Sequence, residues 1–270
     1  MEPLSPGDLL RWYVEAGVDE TIGETPLNRY QLSASKSPAV QAPAAPPPTP
    51  RAAPPAQPPP VPRPPDEIAG TAAHLAAGCR SLAELRAALD GFEGSALKDG
   101  AHKTVFADGD PEARVMLVGE APGGDEDRIG RPFVGVSGQL LDRMLASIGL
   151  DRGKVYITNV VPWRPLGNRK PTPAEVAICQ PFIERHIELV DPAILILLGG
   201  AAASALLATN ESVSRLRGRW HAYSSPGLPR PVAAMPTFHP AYLLRTPHAK
   251  REAWHDLLAV RKRLSEGDLT

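Results

Sequence analysis

The sequence predicts an α/β fold over residues 66–270, built as three layers, α/β/α, around a four-stranded parallel central sheet. Three observations carry this. Four short runs (114–120, 155–161, 194–200 and 232–239) are mostly apolar without alternation, the pattern of strands covered on both faces rather than strands with one wet face. The segments between them are long enough for helices, so each crossover returns the chain parallel and right-handed. Residues 38–65, in contrast, are mostly Pro and Ala, a composition that packs no core and favours extended polyproline II.

Taken in order, residues 1–37 contain LLRWYVEAGVDE, in which Leu9, Leu10, Tyr13 and Val14 share one helical face behind an Asp8 cap. A short amphipathic helix is predicted there, either docked on its own domain or recruiting a protein partner on the semi-rigid 38–65 tether. After the linker a helical stretch runs from Asp66 to about Leu89. RVMLVGE (114–120) is the first strand, GQLLDRMLASIG (138–149) a helix and VYITNVV (155–161) the second strand. Thr172-Pro173-Ala174-Glu175 has the form of a capping box with proline at the first helical position, so a helix should run to about Val190. ILILLGG (194–200) is the third strand, AAASALL a small-residue helix, VAAMPTFH (232–239) the fourth strand, and a helix over about 248–264 closes the chain.

Composition narrows the function classes. Twenty-nine Lys and Arg against thirty Asp and Glu give a formal net charge of −1, so a nucleic-acid site must be a local basic patch rather than a property of the whole surface. The two cysteines, Cys79 and Cys179, are too few for a disulfide scaffold or an all-cysteine metal site and suit a reducing compartment. No charged-then-apolar leader and no long apolar run is present, so a soluble, cytoplasmic monomer that avoids membranes is expected.

Ligand sites in parallel sheets lie beyond the carboxyl ends of the strands, which singles out Glu120, Asn159 and His239. The first strand runs into GEAPGGDEDRIGRPFVGVSG (119–138), too long to be a mere connector. It carries neither GxGxxG nor GxxxxGK[ST], and Asp125, Glu126 and Asp127 would repel phosphate. That disfavours a nucleotide-dependent enzyme. The fourth strand ends in FHPAYLLR (238–245), a His-Pro turn followed by two leucines predicted to be exposed and an arginine.

Together, GEAPGGDEDRIGRPFVGVSGQLLDRML, ITNVVPWRPLGNRKPTPAE and HPAYLLR resemble the family 4 uracil-DNA glycosylases, from about Val105 to the final helix. The resemblance implies an enzyme that flips uracil out of DNA and hydrolyses its N-glycosidic bond, leaving an abasic site; the alternative is a module that binds uracil or abasic DNA without turnover. By resemblance Phe133 stacks on the flipped base, and Asn159 reads its amide edge with one donor and one acceptor, a match for uracil and a mismatch for cytosine. Glu126 is expected beside base C5, leaving little room for a thymine methyl. His239 is expected to donate to uracil O2 as negative charge develops there. Leu243 and Leu244 are expected to enter the vacated base stack. Ala121 stands where several related families have a water-activating aspartate, which leaves Glu120 to place a water or to counter the sugar's positive charge. Arg164, Arg169, Lys170 and Arg245, with Arg215, Arg217, Arg219 and Arg251, are candidates for a rim contacting DNA phosphates.

Family 4 enzymes typically hold a 4Fe–4S cluster on four cysteines. Here the corresponding positions are Phe92, Ser95, Trp163 and Cys179, so three of four ligands are replaced, and no cluster or other metal is expected. A related group traps its DNA product through a histidine in an inserted loop after the second strand; the loop here, PWRPLGNRKP, has none, and covalent trapping is not expected.

Overall fold

The computed structural model describes residues 65–266. The helix and linker expected before residue 65 lie outside them, and Pro65 begins the first helix rather than ending the linker. The helical stretch expected as one piece is two: α1 (Pro65–Gly78) and α2 (Leu82–Gly91). The break is chemical. Ser81 Oγ accepts from the Glu84 N–H at 3.2 Å while the Glu84 carboxylate takes the Arg80 N–H at 2.6 Å, a side-chain cap that starts a new helix where Gly78 lets the old one end. A short α3 (Ala96–Gly100) follows.

The sheet has six strands in the order β1-β3-β2-β4-β6-β5. Its four parallel members are those expected: β2 (Val115–Gly119), β3 (Tyr156–Asn159), β4 (Ile194–Leu198) and β6 (Val232–Thr237). The two additions are antiparallel edges, β1 (Asp108–Gly109) against β3 and β5 (His221–Tyr223) against β6. Two or three residues are too short for any period to be visible in the sequence; tertiary pairing alone makes them strands.

Strand alternation sorts the core into two layers. Met116 and Val118 of β2, Tyr156 of β3 and Leu195 and Leu197 of β4 face α6 (Pro173–Val190), where Cys179, Phe182, Ile183 and Ile187 are buried, and α7 (Gly200–Leu207). Val115 and Leu117, Ile157, and Ile194 and Ile196 face the other way, onto Leu141 and Leu145 of α5 (Val136–Ala146) and Leu257 and Val260 of α10 (Lys250–Ser265). The Thr172 cap reads as expected: its hydroxyl accepts from Glu175 N at 3.3 Å and Glu175 takes Thr172 N at 2.7 Å. Short helices α4 (Gly124–Ile129), α8 (Val213–Leu216) and α9 (Pro240–Arg245) sit in the loops beyond the strand ends. Among the described residues no helix is long and apolar enough to cross a membrane.

Candidate active site

The parallel register sets Gly119 opposite Asn159 and Leu198 opposite Thr237, so the chain leaves β2, β3, β4 and β6 at one edge of the sheet. There a cavity of about 930 Å³ opens, lined by Glu120, Ala121, Glu126, Phe133, Asn159 and His239 among others. The four residues expected against the base (Glu126, Phe133, Asn159 and His239) therefore line one cavity together with Glu120 and Ala121.

The floor is shaped by absent side chains. A Cβ on Gly119 would strike Asn159 Oδ1 and come within 2.6 Å of Phe133 Cζ, and one on Gly138 would run into the Phe133 carbonyl. Phe133 is buried with φ of 54°, in the left-handed region that bulky residues avoid, a conformation costing roughly 1–3 kcal/mol that surrounding contacts must hold. Its ring lies 5.6 Å from that of His239, tilted by 32°. Asn159 is buried, and its Oδ1 has no hydrogen-bond partner among the described residues. An unpaired buried acceptor costs about 1–3 kcal/mol.

His239 caps α9: its Nδ1 accepts from the Ala241 N–H at 3.1 Å. A nitrogen that accepts carries no proton, so the neutral ring must be protonated at Nε2. Burial, assisted by the Arg245 charge and opposed by Glu126, moves its pKa down to about 4, which keeps the ring neutral near pH 7. Glu120, half-buried at the end of β2, is pushed up from the ordinary carboxylate range by burial, with Lys170 pulling the other way. Beneath His239, Thr237 donates to Asp256 at 2.7 Å, and Asp256 receives Arg217 at 2.7 and 3.0 Å.

Several expectations change in detail. Glu126 lines the cavity, but its carboxylate accepts from Gly123 N at 3.1 Å and from Val134 N and Gly135 N at 2.9 Å. It holds the 123–135 loop shut. Leu243 is 1% exposed and packs with Phe238, Ala249 and Ala253; it is core and cannot enter a base stack without leaving that packing. Leu244 is 38% exposed. Arg217 does not belong to a phosphate rim: it is tied to Asp256 and Glu252 and lies over the Phe238 ring. Arg169 lines the cavity but is held bidentately by Glu175 at 2.6 and 2.8 Å, and Arg164 donates to Asn168 at 2.7 Å. Lys170 and Arg245 line the cavity from exposed positions. Sequence reasoning missed Asp127, buried and taking the His102 and Lys103 N–H groups together with His102 Nδ1 at 2.7 Å; an acidic run in a loop gave no sign that one member faces inward.

The positions at which the resemblance implies a cluster do not fit one. Phe92 and Trp163 are buried and stack at 6.3 Å and 14°, Phe182 packs edge-on to Phe92 at 5.2 Å, and the Trp163 indole N–H reaches Thr104 at 3.3 Å. The Cys179 thiol is fully buried and pushed up to about 12, chiefly by that burial. Two aromatic rings, a serine and a protonated thiol cannot supply the four thiolates such a cluster needs.

Comparison with known proteins points to one superfamily. Residues 106–258 match the family model described as the uracil DNA glycosylase superfamily. The chain is 38% identical over 171 residues to the type-4 uracil-DNA glycosylase of Saccharolobus solfataricus, covering 62% of this chain and 78% of the relative. It is 41% identical over 145 residues to the type-4 enzyme of Thermotoga maritima, covering 52% and 71% respectively. A type-5 uracil-DNA glycosylase of Thermus thermophilus is 38% identical over 115 residues, 37% of this chain and 52% of the relative. With the family model spanning the sheet, the loop and the His-Pro turn, this chain belongs to the uracil DNA glycosylase superfamily.

Proposed function

We propose that this chain is a monofunctional uracil-DNA glycosylase that takes uracil, flipped out of DNA, into the cavity and hydrolyses its N-glycosidic bond, leaving an abasic site. The observation that carries the reading is the pairing, in one cavity, of a neutral His239 with its proton on Nε2 and a buried Asn159 whose Oδ1 lacks a donor. Asn159 Oδ1 accepts uracil N3–H and its amide donates to O4. Cytosine offers an unprotonated N3 and an amino group there, so donor would face donor and acceptor would face acceptor, and both pairs would go unmade. Phe133 supplies the stacking wall.

In the reaction the C1′–N1 bond breaks with its electron pair going to the base. The negative charge that appears on O2 is met by the Nε2–H of His239 and that on O4 by the Asn159 amide. The sugar carries the matching positive charge, which the Glu120 carboxylate at the cavity wall counters until water adds to C1′, its hydroxyl staying on the sugar and its proton neutralising the departing uracil anion. Lys170 and Arg245, exposed at the cavity, contact the flanking phosphates, and Leu244 fills the hole left in the duplex. No step uses an iron–sulfur cluster, and we read the enzyme as working without one.

A single-turnover assay on a labelled oligonucleotide containing one uracil tests this. Abasic sites, read as alkali-labile breaks, are expected at uracil and not at cytosine or thymine. Binding to uracil DNA without breaks would replace catalysis by recognition alone.

A further inference from the structure

One charged side chain that is not among the cavity's lining residues contacts the backbone on both sides of Phe133. Phe133 sits in the left-handed region at φ of 54°, where an L-residue's Cβ crowds its own backbone, so the two peptide planes flanking its Cα must be held from outside. Arg152, in the 3₁₀ turn before β3, does this. Its NH1 donates to the Pro132 carbonyl at 3.2 Å and its NH2 to the Phe133 carbonyl. Those carbonyls belong to the peptide planes on either side of the Phe133 Cα, so one rigid guanidinium orients both.

The guanidinium is itself anchored. Its NH1 meets Asp108 at 2.6 Å and its Nε meets Asp142 of α5 at 2.8 Å. Asp108, on edge strand β1, is aligned in turn by Arg131 at 2.9 and 3.1 Å. On the far side the ring rests at Gly119 and near the His239 ring, so a shift of the 132–133 peptides moves the wall against which a base would lie. We propose that Arg152 is a positioning residue for the Phe133 stacking wall, with Asp108 as its anchor. This rests on the uracil reading for the role of the wall, though not for its geometry. Lysine cannot replace arginine here, because one ammonium cannot span two carbonyls and two carboxylates in a plane.

The test is a double-mutant cycle with an independent structural readout. In single-turnover uracil release, Arg152→Lys should slow the reaction on the order of tenfold when Phe133 is present and by less than about twofold in a Phe133→Ala background. The same fold-loss in both backgrounds would mean that Arg152 acts elsewhere and would overturn the proposal. The second readout is ¹⁹F NMR of protein carrying 4-fluorophenylalanine at its five phenylalanines. The Phe133 resonance, assigned by its loss in Phe133→Leu, should move or broaden in Arg152→Lys while the other four persist; an unchanged Phe133 resonance would refute the clamp. If Arg152→Lys does not fold, Asp108→Ala, which leaves Arg152 held by Asp142 alone, is read by the same two criteria. Absence of uracil release from the wild-type protein would sink the functional reading and still leave the NMR test of the clamp.

Discussion

Replacing His239 separates two jobs that one side chain performs. Its Nδ1 caps α9 by accepting from Ala241 N at 3.1 Å, and its Nε2–H is left to face the cavity. Losing a cap costs about 1 kcal/mol of stability, small beside the roughly 5–15 kcal/mol that keeps a domain folded. Losing a donor aimed at developing negative charge costs about 10²–10³ in rate, or about 2.7–4 kcal/mol. His239→Ala loses both. His239→Asn keeps the cap, since asparagine is among the best N-cap residues, but its amide is too short to reach where the imidazole Nε2 stood. Both variants should therefore cut single-turnover uracil release on the order of 100-fold or more, while only His239→Ala lowers the thermal midpoint. DNA affinity, measured by anisotropy on an uncleavable uracil analogue, should barely change. Because burial depresses the pKa to about 4, the wild-type rate should show no inflection at the ordinary histidine value. A near-wild-type rate for His239→Asn would refute the leaving-group role. An inflection near pH 6.5 that disappears in His239→Asn would refute the neutral-donor argument.

Asn159→Asp should abolish uracil release, because a carboxylate repels O4, and give slight release of cytosine, whose amino group it accepts; matched oligonucleotides carrying uracil or cytosine read both. Leu244→Ala should slow duplex cleavage more than single-strand cleavage, whereas Leu243→Ala, in the core, should cost about 2–5 kcal/mol in denaturant unfolding. His186 is buried against Tyr156, 2.9 Å from its hydroxyl, and burial lowers its pKa to about 3. The unfolded chain takes up a proton at the ordinary value and the folded chain does not, so this stabilisation is complete above about pH 6.5 and is lost as pH falls towards about 3; His186→Gln should flatten that part of the urea-midpoint profile. Protein purified without oxygen should carry no stoichiometric iron and no visible charge-transfer band, since Phe92, Ser95 and Trp163 offer no thiolate; iron by elemental analysis would overturn that.

Much of this molecule is written locally. The four parallel strands are mostly apolar and nearly all buried because both faces are covered, polar residues entering only toward the carboxyl ends of β3 and β6, and that pattern survives in the one-dimensional sequence. The Thr172 capping box and the strand ends at Glu120, Asn159 and His239 are likewise matters of neighbouring residues, which is why the cavity's polar groups could be named beforehand. What the tertiary structure decided depends on partners distant in the chain. The edge strands at 108–109 and 221–223 exist only through their pairing with β3 and β6. Leu243 and Leu244 are adjacent and chemically identical, and only the packing of α9 on Ala249 and Ala253 makes one core and the other surface. Glu126 became a loop clamp because three backbone N–H groups converge on it, and Arg152 reached Phe133 because the 3₁₀ turn before β3 packs beside β1 and α5. Local period records which side chains face a core; it carries no record of which distant groups meet them there, and that meeting is what turns three strand ends into a site.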